Sequence, residues 1–364
     1  MNGARETILS PARNGAESIW KPRKELYDRP YLKASSMPRV SVIIPNYNHA
    51  RYLRQRIDTV LRQRYQDFEI ILMDDCSTDV SRTVIAEYAS DPRIRIELNE
   101  KNSGSTFRQW NKGVGLARGE YVWIAESDDY ADERLVEHLI ELLSKDSKTV
   151  FAYCRSLEIS SEDQEDDFAD AYLSGLDRDR WSKDFHVDGR EECQNWFVQT
   201  NPVPSASAVL FRKKIYEQVG GADENLRLCG DWKLWAAMAM EGSVAYLAQA
   251  LNYHRWHDAS MRSEAIQSGL NVSEALGVIR WILDRVEPTR MVSNSMREYT
   301  AIYWVPAMLN RRIPLVRRRA ILHDAMAIDP HALRRLVRPS LAAVRFKIGS
   351  ELRLLRQRFE GRAS

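Results

Sequence analysis

Between Val40 and Cys154 the chain repeats one pattern, a short apolar run followed by a stretch with helical spacing, and few folds accept it. Val40 to Ile44 is β-branched and apolar, as a buried strand requires. Leu53, Ile57, Val60 and Leu61 then recur at helical spacing. Phe68 to Met73 is a second strand, followed by a helix marked by Val84, Ile85 and Tyr88, and Ile94 to Leu98 is a third strand. A helix over 106–117 leads to a fourth strand, Tyr121 to Ala125. Leu135, Leu139, Leu142 and Leu143 form another helical face before a fifth strand, Thr149 to Cys154. This order predicts an α/β fold, a Rossmann-like and mostly parallel sheet flanked by helices. Further on, Ser205 to Phe211 and Val244 to Leu247 read as strands and Trp232 to Met240 as a helix, and the chain beyond about residue 260 reads as helical only.

Open parallel sheets bind ligands beyond the carboxyl ends of their strands. Three strands here end in unusual residues. The first ends in Pro45-Asn46-Tyr47-Asn48, the second in Asp74-Asp75-Cys76-Ser77-Thr78-Asp79, and the fourth in Glu126-Ser127-Asp128-Asp129. Three carboxylates in four residues repel one another unless a proton or cation holds them together. A hard divalent cation takes oxygen ligands and keeps waters and substrate phosphates as the rest of its shell. The acidic run therefore reads either as a clamp for a metal and a diphosphate, through Glu126 and Asp128 with Asp129 in support, or as a solvated acidic turn. Tyr47 can stack on a flat base, and Asp75 can accept a hydrogen bond from a ring N–H. Against these roles stand local ones: Pro45 ending a strand, and Asn48 and Asp79 capping the helices that follow.

Composition is that of a soluble globular protein, and a net charge of +2 argues against a general nucleic-acid binder. The charge is uneven. From Arg311 to Ser364 there are 14 Lys or Arg against 4 Asp or Glu, a balance of +10, which leaves −8 on the rest. Leu341, Val344, Ile348, Leu352, Leu355 and Phe359 share one helical face, ringed by Arg345, Lys347, Arg353, Arg356 and Arg358. Such a helix either lies on an anionic membrane surface or packs on the body of the protein. The four cysteines form no CxxC pair, and neither a signal peptide nor a membrane-spanning stretch is present, so a cytoplasmic protein, peripheral on the inner membrane face at most, is expected. His49, His138 and His186 follow no pattern and read as surface residues.

With these residues in view, the chain resembles the family 2 glycosyltransferases, whose fold is GT-A. The resemblance rests on Pro45-Asn46-Tyr47-Asn48, on Asp74 to Asp79, on Asn102-Ser103-Gly104, on Gly119-Glu120-Tyr121 and on the Glu126 to Asp129 run at the family's Asp-x-Asp position. It implies an N-terminal arm (1–38), a catalytic domain (39–257) and a basic helical C-terminal extension (258–364). Within the catalytic domain, 39–130 would bind a nucleotide-sugar and 131–257 an acceptor. Donor contacts would come from Pro45, Tyr47, Asn48, Asp75, Asn102, Gly104, Arg108, Asn111, Ser127 and Arg255. Asp128 would be the principal ligand for Mg²⁺ or Mn²⁺, with Glu126 and His257 beside it. Gly230-Asp231-Trp232-Lys233-Leu234 resembles the family's base motif, so Asp231 would take the acceptor proton; alone, it would read as a helix cap.

The resemblance thus implies an inverting transfer from a UDP- or dTDP-sugar to a hydroxyl of a glycan or lipid-linked acceptor, in cell-surface polysaccharide synthesis. Two departures stand out: Glu126 replaces the usual first Asp, and Gln109-Trp110-Asn111 replaces Ala-Arg-Asn, leaving Arg108 as the nearest cation for the diphosphate. A sugar nucleotidyltransferase would carry a glycine-rich basic loop after the first strand, but 46–56 has no glycine. A non-catalytic glycan-binding or scaffold module would not need both Asp128 and Asp231. Gly113-Val114-Gly115 to Gly119 imitates a dinucleotide fingerprint, but it follows a helix rather than the first strand, so Gly119 reads as a helix cap.

Overall fold

In the computed structural model, residues 37–161, 163, 165–166, 177, 179–255 and 268–337 are described. Their chain order begins β1 (Val40–Asn46), α1 (Ala50–Leu61), β2 (Phe68–Asp74), α2 (Ser81–Glu87), β3 (Ile94–Leu98), α3 (Thr106–Leu116) and β4 (Tyr121–Ile124). Then come β5 (Tyr130–Ala131), α4 (Leu135–Lys145), β6 (Thr149–Ile159), β7 (Glu165–Asp166), β8 (Phe185–Asp188), α5 (Gly189–Glu192) and β9 (Val209–Arg212). The rest is α6 (Lys213–Gln218), α7 (Gly230–Ala239), β10 (Ser243–Arg255), α8 (Leu270–Leu283), α9 (Arg290–Leu309), α10 (Leu315–Ile328) and α11 (Ala332–Val337).

One sheet takes the order β3-β2-β1-β4-β9-β6-β10-β5, with β7 added on β6 and β8 on β10. The β3-β2-β1-β4 block is parallel, while β9 runs antiparallel between β4 and β6. Side chains alternate across a strand, so β1 feeds two cores. Val40, Val42 and Ile44 meet Leu53, Ile57 and Val60 of α1 and Leu135 and Leu139 of α4. Ile43 faces the opposite side, toward Phe107 and Trp110 of α3, Trp235 of α7, and Leu276 and Trp304 of the C-terminal helices.

The α/β alternation and the mostly parallel sheet agree with the sequence pattern. Several boundaries differ, each for a local reason. The last strand runs well past Leu247 to Arg255, and register shifts near Ala250 let it bend through polar residues that alternation alone would not assign to a strand. The predicted strand at Ser205 starts as a 3₁₀ turn, Ala206–Ala208, because the Ser205 hydroxyl accepts from the Ser207 N–H. Asp79 bridges two helix starts, accepting from Ala50 N at 3.0 Å and from Ser81 N at 2.9 Å. Asn48 does not cap: with φ of 58°, its Oδ1 accepts from Thr78 N at 2.8 Å and so ties the loops after β1 and β2 together. All four cysteines are free thiols, and among the described residues no helix is long and apolar enough to cross a membrane. The 1–36 arm and the 341–359 amphipathic stretch lie outside the described residues.

The glycines around α3 act through close approach. Helix α3 ends at Leu116 with an extended Ala117 after it, so Gly119 is not its cap. A Cβ on Gly119 would lie 2.7 Å from Ser41 N and 2.8 Å from Val40 C, backbone that cannot yield cheaply, whereas one on Gly115 would meet nothing within 4 Å. Gly119→Ala should therefore destabilise the protein by about 1–3 kcal/mol, and Gly115→Ala should be neutral or stabilising by up to about 1 kcal/mol. Urea unfolding midpoints of the two variants check this, and equal midpoints would remove the close-approach explanation.

Candidate active site

The register carries the polar strand ends to one edge. Asn46 pairs with Asp74 across β1 and β2, and Ile43 pairs with Ile124 across β1 and β4, so Tyr47, Asp75 and Glu126 all emerge at the carboxyl end of the parallel block. Pro45 is still inside β1, beyond the last pair with β4. Tyr47 is 45% exposed, which leaves its ring available at the mouth. Asp75 is buried, and its carboxylate accepts from Ser103 N and Oγ, Asn99 Nδ2 and Gln109 Nε2. Asn102 donates to Asp75 O at 2.9 Å and accepts from Gly104 N at 2.7 Å. Gly104 has φ of 70°, the left-handed region that glycine enters without penalty. Asp75, Asn102 and Gly104 thus form one loop clasp.

Within the acidic run the carboxylates have separate environments. Asp129 is buried; it accepts from Arg255 N at 2.9 Å and Ser205 Oγ at 3.2 Å, and contacts His254 Nδ1 at 3.2 Å. Arg56 of α1, fully buried, lies 3.9 Å from it. Burial works to raise the Asp129 carboxyl, but the His254 charge and hydrogen bond, with Arg56, outweigh it and hold the group well below the usual carboxylate range. Burial likewise opposes charge on His254, yet Asp129 raises the imidazole to about 9. Burial also lowers the Arg56 guanidinium to about 10, against the pull of Asp129.

Glu126 accepts from the Trp110 indole at 2.6 Å, so the two departures from the family pattern meet in one hydrogen bond. Burial first, and the Asp128 charge second, push the Glu126 carboxyl up to about 8. Among the described residues no group of three or more His, Cys, Asp or Glu could hold a metal ion by itself. Two crowded carboxylates, Asp128 and Glu126, do suit a Mg²⁺ or Mn²⁺ ion that completes its shell with water and phosphate oxygens, because a cation relieves the repulsion that raises Glu126. His257 lies outside the described residues.

Other predicted donor contacts are engaged within the protein. Arg255 is 3% exposed; its guanidinium donates to Asp128 O at 2.8 Å, Ser160 O at 2.9 Å and Gln55 Oε1 at 2.9 Å, and so braces the turn that carries Asp128. Ser127 is buried with its hydroxyl 2.9 Å from His49 Nδ1, which draws His49 into the site rather than leaving it on the surface. Arg108 pairs with Glu224 at 3.3 Å. Asn111 donates to Ala222 O and Glu224 Oε1 and accepts from Tyr216, tying α3 to the segment before α7.

Asp231 stands in the first turn of α7, one residue past the start, and Cys229 holds the cap position. It accepts from Asn201 Nδ2 at 3.0 Å. A Cβ on Gly230 would fall 2.4 Å from the Phe107 ring, so α7 begins in close contact with α3. Phe107 in turn packs edge-on against Trp110, centroids 5.2 Å apart. Helix α3 therefore touches both the acidic turn and the start of α7. Sequence reasoning missed Arg56, His254 and Ser207, whose hydroxyl accepts from Glu126 N. Only Arg56 left a signal, an arginine on the apolar face of α1 beside Leu53 and Ile57.

The family model for glycosyl transferase family 2 matches residues 41–220. An uncharacterised glycosyltransferase of Rickettsia typhi is 30% identical over 241 residues, covering 66% of this chain and 70% of that protein. A glycosyltransferase of Bacillus subtilis named for teichuronic acid biosynthesis, TuaG, is 37% identical over 111 residues, 30% of this chain and 44% of that protein. Among solved structures, S. aureus TarS (residues 1–349) in complex with UDP-GlcNAc superposes with a TM-score of 0.59 at 16% identity, covering 81% of this chain and 82% of that one.

The buried cluster makes two measurable demands. Asp129→Ala removes the carboxylate paired with Arg56 and His254 and should cost about 3–5 kcal/mol of stability. His254 binds its proton more tightly folded than unfolded, so its contribution is full below about pH 6.5 and fades as pH rises through about 9. Chemical unfolding in EDTA between pH 6 and 10 should show a decline that Glu126 shares up to about pH 8 and that continues above pH 8 in the wild type but not in His254→Gln; parallel curves for the two above pH 8 would show that His254 does not carry it.

Proposed function

The chain belongs to glycosyl transferase family 2, and we propose that it is an inverting enzyme that moves a sugar from a nucleoside-diphosphate donor to an acceptor hydroxyl. The observation that carries this reading is the shared contact of α3 with both the acidic turn, through Trp110 and Glu126, and the start of α7, through Phe107 and Gly230. It brings the acidic turn and the start of α7 against neighbouring turns of one helix, which supports a reading in which a donor and an acceptor meet between them.

In the proposed step Asp231 takes the proton of the acceptor hydroxyl. The oxygen attacks the anomeric carbon in line as the bond to the diphosphate breaks, which inverts that centre. A divalent cation held through Asp128 would supply Lewis-acid stabilisation of the leaving diphosphate. Tyr47 would stack on the base, and Asp75 would accept from its ring N–H in exchange for one of the amide donors it now holds. The UDP-GlcNAc complex of TarS favours a uridine or thymidine donor, and the name of TuaG favours a cell-surface polysaccharide acceptor.

Thermal-shift measurements against nucleoside diphosphates and nucleotide-sugars, with Mg²⁺ or Mn²⁺, identify the donor because binding stabilises the folded state. Asp128→Ala should remain folded and lose metal-dependent donor consumption. Asp231→Asn should keep the nucleotide-induced shift and lose about 10²–10⁴ in turnover. Full turnover in Asp231→Asn would place the base elsewhere, and full metal-dependent turnover in Asp128→Ala would remove the metal assignment.

A further inference from the structure

Helix α7 starts without a cap of its own. Cys229 at the cap position makes no side-chain cap bond, and the N–H groups leading into a helix have no intrahelical partners. The partner comes from the C-terminal helical region. Glu274 of α8, 8% exposed, accepts from Arg227 N at 2.9 Å through Oε1, and from Leu228 N at 2.8 Å and Cys229 N at 3.0 Å through Oε2. Three successive backbone donors thus converge on one carboxylate, and the negative charge sits at the helix end whose dipole favours it. The carboxylate ends its contacts two residues before Asp231.

The same segment is fastened from the donor side. Glu224 accepts from Asn111 Nδ2 at 2.9 Å and pairs with Arg108, both on α3. Asp223 pairs with Lys233 of α7 at 2.6 Å. Phe107 closes against Gly230 from the other side. The loop 223–229 is therefore held at one end by α3 and at the other by α8, and the first turn of α7 inherits its position from both.

We infer that Glu274 is a positioning residue for Asp231, so that the C-terminal helical region takes part in transfer by fixing where the base stands. This rests on the proposed role of Asp231. Carboxylates that accept several backbone N–H bonds are strong anchors, and a shift of about 1 Å in a catalytic group can cost about 10²-fold in rate. Nucleotide binding, built on the β1, β2 and β4 ends, has no contact with Glu274 and should be indifferent to it.

Glu274→Gln keeps the side-chain volume but turns one acceptor oxygen into a donor facing backbone N–H groups. In the full chain, amide hydrogen exchange over 225–231 should accelerate by about 10-fold or more while the strands stay protected. Consumption of a panel of UDP- and dTDP-sugars with Mg²⁺ or Mn²⁺, water serving as acceptor, should show kcat about 10- to 100-fold lower with KM within twofold. The fraction of chains that bind nucleoside diphosphate should stay at the wild-type level, which separates misplacement of the base from loss of folded protein. Glu274→Asp, which keeps the charge but withdraws it by one methylene, should fall between the two. Unchanged exchange over 225–231, or kcat within twofold of an active wild type, overturns the inference. A wild type without turnover counts against the transfer reading instead, and the exchange measurement then still decides whether Glu274 holds the loop.

Discussion

Asp129 lies 1% exposed where the turn after β4, helix α1, the segment before β9 and the end of β10 meet. A lone charge there would carry a desolvation penalty of several kcal/mol. Ser205, His254, the Arg255 backbone and Arg56 meet that demand from three segments, the turn before β9, the end of β10 and α1. The consequence is geometric. Because Asp129 is fixed from three segments, its neighbour Asp128 is presented at the strand end on a turn that cannot relax away from its own charge. Arg255 completes the arrangement by donating to Asp128 O, and Arg56 does the same for Glu126 O. The acidic run is thus one structural carboxylate holding two others in a crowded place.

Crowding of that kind makes the Trp110 indole matter. Glu126 has one methylene more than the aspartate usual at its position, and that length lets it reach an N–H on α3. A single donor there lowers the carboxyl's proton affinity but does not overcome burial and Asp128, which is why the group stays raised. The hydrogen bond also makes α3 part of the site. The helix is pressed onto β1 at Gly113, where an added Cβ would meet Ile43 at 2.5 Å, and about one and a half turns earlier Phe107 meets Gly230 of α7.

The strands and their polar ends were legible because they are local. β-branched runs encode β1, β2 and β4, and a parallel sheet places their carboxyl ends together whatever the loops do. Tyr47, Asp75 and Asp128 could be singled out for that reason, whereas Asp231, on a helix, was singled out only through the family resemblance. The partners were not legible. Ser205 and Ser207 lie on a turn that periodicity reads as strand, and β10 hides His254 in a polar stretch after a bulge. The bonds from Trp110 to Glu126 and from Glu274 to the loop before α7 join residues whose spacing in the chain says nothing about their contact. Hydrophobic periodicity reports which face of an element is buried, not which distant side chain will meet it. Arg108, Asn111 and Arg255 show the same limit from the other side: their contacts with Glu224, Ala222 and Asp128 lie far away in the chain and periodicity does not report them.

The two cores of the sheet bear unequally on the site. Among the described residues, the cluster formed with α1, α2 and α4 contains none beyond Leu251. The opposite cluster runs without a break from Ile43 and Trp110 through Trp235 to Leu276, Ile279 and Trp304. Helices α8 and α9 are therefore packed only on the face that carries α3 and α7, the two walls of the crevice. Close-packed interiors transmit displacement rather than absorb it. A movement of the C-terminal helices would then be passed first to α7 and α3, and through Ile43, Ile71 and Met73 to the strands beneath them, before it reached α1 on the opposite face.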